Sequence, residues 1–226
     1  MTDPSGRQLW LELPPISPAA PRRLLVFLHD AGSSPEYLLP LALGWQLRFP
    51  GAIAVLLQGP LGWGGSSDWF DPGARDARGA WRTADAVDGV ARRIGQLQRT
   101  HGLAPQRTVV VGVGQGATVA LQLARAQPAA ATIVVGYAAR LASPIRDSEC
   151  VTATVHLIHG AFDSVTPAVH AQRAFRGLRA VGADVTLDIV EDESHVLSQG
   201  LVNLGTTRVM QTVFRGRRPA HRPTLH

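Results

Sequence analysis

Short apolar runs alternate along the chain with segments whose apolar residues recur at helical spacing. Leu24 to His29 (LLVFLH), Ala52 to Gln58 (AIAVLLQ), Thr108 to Val113 (TVVVGV), Thr132 to Gly136 (TIVVG) and Thr154 to Gly160 (TVHLIHG) are almost continuously apolar. Such runs predict strands buried on both faces. Asp184 to Val190 (DVTLDIV) alternates instead, which predicts a strand at a sheet edge. Leu38 to Phe49 predicts a helix stopped by Pro50 and Gly51. In Trp81 to His101, Ala84, Val87, Ala91, Ile94 and Gln98 share one helical face, widened by Val90 and Leu97. Asp85 and Asp88 fall early in that helix, where its dipole favours negative charge. Gln115 to Ala126 predicts a helix, Thr166-Pro167 opens another, and Val196 to Phe214 forms the last. A glycine-rich loop spans Gly59 to Gly79. Strands alternating with helices predict an α/β fold, a mostly parallel sheet with helices on both faces. No repeat or linker divides the chain, so one domain is expected over residues 1–214, followed by a basic tail at 215–226.

Composition narrows the function. The 226 residues are 45% apolar and 17% charged, enough for a single substantial core. The apolar runs are too short for a membrane span. The opening MTDPSGRQLWLELPP has no basic segment leading into a long apolar one, so a cytoplasmic location is expected. The one cysteine, Cys150, excludes an internal disulfide and a cysteine-rich metal cluster. No H-E-x-x-H or cysteine-histidine spacing points to a metal. The net charge of +5 rests on arginine alone, four of them in the stretch RGRRPAHRPTLH from Arg215 to His226. No aromatic-interleaved basic face accompanies that stretch, so a solvated tail is expected rather than a nucleic-acid site.

The candidate chemistry centres on TVVVGVGQGATVALQLA, Thr108 to Ala124. Two readings compete. Gly112, Gly114 and Ala117 satisfy the dinucleotide-binding pattern G-x-G-x-x-G/A between a strand and a helix. That reading needs an acid at the end of the next strand, where the chain reads GYAAR. The nearest acid is Asp147, although Arg140 could meet a ribose phosphate. Alternatively, residues 112 to 116 form the strand–turn–helix elbow of a serine hydrolase, with residue 114 at its centre. An acid shortly after a late strand and a histidine after the last strand should then follow. Asp163, in HLIHGAFDSVTP, and His195, in IVEDESHVLS, take those places. Both lie in loops at the carboxyl edge of the expected sheet, where ligands bind.

With FLHDAGSS, DWFD, GVGQGA, HGAFDSVTP and ESHVLS, spread from Phe27 to Ser198, the chain resembles the carboxylesterase, phospholipase and acyl-protein thioesterase family of small α/β-hydrolases. The resemblance implies a single α/β-hydrolase domain without a large lid. It implies hydrolysis of carboxylic esters or thioesters of small to medium acyl groups, with Asp163 as acid and His195 as base and no cofactor or metal. Ala31 and Gln115 resemble the backbone oxyanion-hole donors, and Trp69 and Phe70 the wall of an acyl pocket. The expected partner is a small acyl ester or thioester, with a homodimer allowed. The sequence departs from the family pattern twice. Asp30 stands where glycine follows the histidine, and Gly114 stands where the family carries its nucleophilic serine. Glycine keeps the turn, because it has no Cβ to strain, but it removes the attacking oxygen. Serine-type hydrolysis is therefore expected to be absent or strongly impaired. The alternative is a pseudoenzyme that binds an acyl ligand or a protein partner. His195 with Asp163 retains the means to activate a water in the space above Gly114.

Overall fold

The computed structural model describes residues 10–62 and 65–215. Among the described residues, seven strands form one sheet in the order β1-β3-β2-β4-β5-β6-β7. They are β1 (Trp10–Leu13), β2 (Arg23–Leu28), β3 (Ala52–Leu57), β4 (Thr108–Val113), β5 (Ile133–Tyr137), β6 (Thr154–Gly160) and β7 (Val185–Val190). All neighbours are parallel except β1, which pairs antiparallel with β3 in the register Trp10 to Leu57. The helices are α1 (Leu39–Arg48), α2 (Ala84–His101), α3 (Gln115–Ala126), α4 (Val169–Ala180) and α5 (Gln199–Arg215).

Alternate side chains of the strands divide the core into two layers, as the two-residue period of a strand requires. Leu24, Val26 and Leu28 of β2 pack with α2, α3 and α4, through Ile94, Leu121 and Leu178 among others. Leu25 and Phe27 point the other way, toward Trp45 of α1 and Val209 of α5. Both faces of the central strands are therefore covered, which is why their sequences are continuous apolar runs. β7 lies at the sheet edge and is only half buried, matching its alternating sequence.

Several boundaries differ from the sequence reading. β1 was not expected. Four residues give too little alternation to stand out, and its partner strand lies forty residues away, so only the assembled sheet defines it. α2 begins at Ala84 rather than Trp81; Trp81 is instead buried in a bridge with Arg75 under the long loop. α5 starts at Gln199, which leaves His195 in the preceding loop. It runs through Arg215, one residue past the expected end of the domain; the rest of the basic tail, 216–226, lies outside the described residues.

After the edge strand β1 the chain runs to β2 in mid-sheet, moves outward to β3, and then returns across β2 to β4. Ligands collect at such a reversal point, outside the carboxyl ends of the two strands that flank it. Here those strands are β2 and β4, paired through Leu28 and Gly112. Asp30 and Gly114 each lie two residues beyond that pair.

Ile94 of α2 is completely buried between helix and sheet. Ile94→Ala is expected to destabilise the fold by about 2–5 kcal/mol, through lost burial and the cavity left behind. Thermal or urea unfolding of the variant measures this, and the site geometry described below should be unaffected.

Candidate active site

The exit of β2 is fixed by His29. Its ring is fully buried, and burial lowers its pKa against the opposing contact with the Asp30 backbone, which keeps it neutral. Nδ1–H then donates to the Asp30 carbonyl at 2.6 Å, while Nε2 accepts from the Gly59 amide at 3.0 Å and the Ser67 hydroxyl at 3.1 Å. The His29 carbonyl takes hydrogen bonds from the Trp69 indole at 2.8 Å and the Gly116 amide at 3.1 Å. Asp68 adds a further tie, accepting from the Gly32 amide at 2.8 Å. The loop after β2 is thereby held against the N-terminus of α3.

Between β4 and α3 the chain turns sharply at Gly114, with φ 51° and ψ −110°. An L side chain rarely adopts this backbone conformation, and a residue held there carries a strain of order 1–3 kcal/mol. The turn is tight because a Cβ on Gly116 would run into the Leu28 carbonyl oxygen. At Gly114 the obstacle is different in kind. A Cβ there would fall inside the carboxylate of Asp30. The space that a side chain at 114 would use is filled by the side chain of residue 30.

That carboxylate is fully engaged. Asp30 Oδ1 accepts from the amides of Ala31 and Gln115, each at 2.7 Å. Oδ2 lies 2.8 Å from His195 Nε2. His195 Nδ1 in turn lies 2.8 Å from Asp163 Oδ2. The buried Asp163 carboxylate also accepts from the amides of Val165 at 2.9 Å and Thr166 at 2.7 Å, with His159 Nε2 at 3.4 Å. The result is a carboxylate–imidazole–carboxylate chain with both histidine nitrogens bonded. Asp163 and His195, expected from their order in the sequence, do meet, and the amides of Ala31 and Gln115 converge on one oxygen. Their common target is Asp30, which the sequence marked only as an irregularity in the loop after β2. Its position two residues past a mid-sheet strand, level with Gly114, was the available signal.

Trp69 and Phe70 sit elsewhere. Both are buried: the Gln115 side chain clamps their backbone, accepting from the Trp69 amide at 2.5 Å and donating to the Phe70 carbonyl at 2.9 Å. Trp69 lies against His29 and Phe70 against Trp81. They pack the long loop onto the core, and Trp69 also lines a separate cavity of about 270 Å³ beside α2. The cavity in front of Asp30 and His195, about 430 Å³, is walled instead by Tyr37, Leu38, Leu41, Val113, Val196 and Leu197. The dinucleotide reading of Gly112, Gly114 and Ala117 meets a filled cradle. The N-terminus of α3, where a phosphate would sit, already holds the Asp30 carboxylate.

Burial pulls the His195 pKa down, but the hydrogen bonds and charges of Asp163 and Asp30 together outweigh it, and the pKa is raised above 6.5. The folded state thus holds this proton more tightly than the unfolded chain. The resulting stabilisation is complete below the unfolded value and is lost as pH rises through the raised one. A histidine NMR titration should place His195 above 6.5. Asp30→Asn, which keeps the shape and removes one charge, should lower that midpoint; an unchanged midpoint would mean that Asp30 is not the partner.

The profile of the phospholipase/carboxylesterase family matches residues 16–204. The chain is 29% identical to the esterase YpfH of Escherichia coli strain K12 over 201 residues, 87% of this chain and 86% of that protein. Among solved structures it superimposes on the esterase PE8 with a TM-score of 0.79 and 27% identity, covering 89% of this chain and 97% of that one. A carboxylesterase of Bacillus cereus shares the fold with a TM-score of 0.72 and 19% identity, covering 89% and 93%. With a sheet of this order and a histidine–aspartate pair at its carboxyl edge, the chain belongs to the phospholipase/carboxylesterase family of α/β-hydrolases.

Proposed function

We propose that the cavity in front of His195 binds small to medium carboxylic esters or thioesters, and that serine-type hydrolysis is absent or strongly impaired in this chain. In this reading Gly114 occupies the nucleophile position, Asp163 and His195 are the acid and base, and the amides of Ala31 and Gln115 are the oxyanion donors. The filling of the space above Gly114 by Asp30 carries the proposal. No hydroxyl stands there to attack a carbonyl carbon, and the two donors are bonded to Asp30 Oδ1 rather than open to a substrate oxygen. Loss of its nucleophile costs a serine protease about a million-fold in kcat, and roughly 10³–10⁴ over water survives on oxyanion stabilisation and binding. Here even that remainder is curtailed, because the oxyanion donors are engaged. A water activated by His195 faces the same obstacle, since its Nε2 is bonded to Asp30 at 2.8 Å. A second reading, ligand binding without turnover, is favoured by the complete satisfaction of both Asp30 oxygens.

The test is a four-way comparison of the native chain, Gly114→Ser, Asp30→Gly and the double variant, with a fluorophosphonate probe and p-nitrophenyl acetate. Gly114→Ser alone is expected to recover little, because its Cβ collides with the Asp30 carboxylate. The double variant is expected to take the probe and to hydrolyse the ester at least about 10³-fold faster than the native chain. Equal rates in the native chain and the double variant would overturn the proposal. Saturable ester binding by the native chain, with the double variant still silent, would select the second reading.

A further inference from the structure

An internal carboxylate that occupies the nucleophile's space has chemistry of its own. Attack by Asp30 on an ester carbonyl would create a mixed anhydride by expelling an alkoxide. The alkoxide is far the poorer leaving group, so that adduct reverts. The substrate oxyanion would also find its two donors already bound to Asp30 Oδ1. Acyl transfer through Asp30 is therefore disfavoured twice. Displacement at a saturated carbon meets neither difficulty. No oxyanion forms on the substrate, and a halide leaves as a stable anion.

We propose that Asp30 is a carboxylate nucleophile toward saturated carbon, and that the site hydrolyses primary alkyl halides through an alkyl-aspartate ester. The inference rests on the proposed roles of His195 and Asp163 as base and acid, adds Asp30 as the attacking group, and changes the bond that is broken. In the first step Asp30 Oδ2 bonds to the halogen-bearing carbon, and the carbon–halogen bond breaks with its electron pair leaving as halide. Alkylation of Oδ2 removes the carboxylate that holds the Nε2 proton, and that proton passes to solvent. In the second step a water gives a proton to the now neutral His195 Nε2 and attacks Asp30 Cγ. The tetrahedral charge develops on Oδ1, which already lies 2.7 Å from the amides of Ala31 and Gln115. Those amides thus serve the protein's own carbonyl oxygen. Asp163, which accepts from His195 Nδ1, stabilises the imidazolium that forms. Collapse breaks the bond between Cγ and Oδ2, the alcohol departs with the proton from His195, and the Asp30 carboxylate is regenerated. The sum is alkyl halide plus water to alcohol, halide and a proton.

Access supports the assignment. The Asp30 side chain is 27% exposed and His195 23%, both facing the cavity. The walls from Leu38, Leu41, Val113 and Leu197 suit an alkyl group. Because His195 must be neutral to accept the water proton, turnover is expected to rise with pH as His195 loses its proton, and alkylation of Asp30 removes one of the two charges that hold that proton in the free site.

The experiment uses the full-length chain with 1-bromobutane. Hydrolysis in ¹⁸O-water, limited to one turnover, should place label in the Asp30 carboxyl and none in the first butanol released. His195→Gln should release one bromide per chain in a burst and then turn over about 10²–10⁴-fold more slowly, the range for loss of a general base. It should also retain a butyl adduct on the peptide bearing Asp30. Peptide mapping separates that adduct from alkylation of exposed Cys150. Asp30→Asn, its folding checked by thermal unfolding, should show neither burst nor adduct. Bromide release no faster from the native chain than from Asp30→Asn, or label appearing in butanol with none in Asp30, would overturn the inference. Esterase activity of the Asp30→Gly/Gly114→Ser variant is read on a different chain, so each proposal can fail while the other stands.

Discussion

The carboxylate of Asp30 ties together the three elements that make the edge of this sheet a site. One oxygen sits at the N-terminus of α3, bonded to the amides of Ala31 and Gln115, and the other sits on the His195 imidazole. Helix N-termini and imidazolium both favour negative charge, so the position is electrostatically prepared from two directions. The supports beneath it point the same way. His29 fixes the Asp30 carbonyl, Asp68 the Gly32 amide, and Gln115 the backbone of Trp69 and Phe70. A negative group above residue 114 completes an arrangement that the backbone alone leaves with unsatisfied donors.

Glycine at 114 and aspartate at 30 therefore form one structural unit. A side chain at 114 and the present Asp30 rotamer cannot coexist. Removing Asp30 while keeping Gly114 would leave two amides and the His195 ring facing an empty pocket. Unmet polar groups of that kind cost about 1–3 kcal/mol each when buried, less where water reaches them. Asp30 is partly exposed, so water moderates the cost here. The strain normally stored at such an elbow is relaxed by glycine, which has no Cβ to hold at φ 51°. The turn survives without the side chain that the elbow exists to present.

Membership of the phospholipase/carboxylesterase family explains the scaffold and its sheet order. It does not by itself specify the reaction, because chemistry belongs to the site rather than to the fold. Here the space above Gly114 is filled by a carboxylate at the end of β2, bonded to the amides and the imidazole around it.

Most of the architecture was legible in the sequence. The inner strands announce themselves because both faces are buried, and the helices because one face is. The order of Asp163 and His195 behind the elbow reflects the order of strands along the sheet, so their approach could be read from the chain as well. β1 could not, since its four residues gain definition only by pairing with β3. The place of Trp69 and Phe70 was also hidden, because an aromatic residue in a loop reads alike whether it lines a cavity or seals the loop against the core. Asp30 shows the division most sharply. The chain records an aspartate at 30 and a glycine at 114, eighty-four positions apart and without visible relation. Only the pairing of β2 with β4 brings the two strand exits side by side, and only there does one side chain fill the space that the other residue leaves.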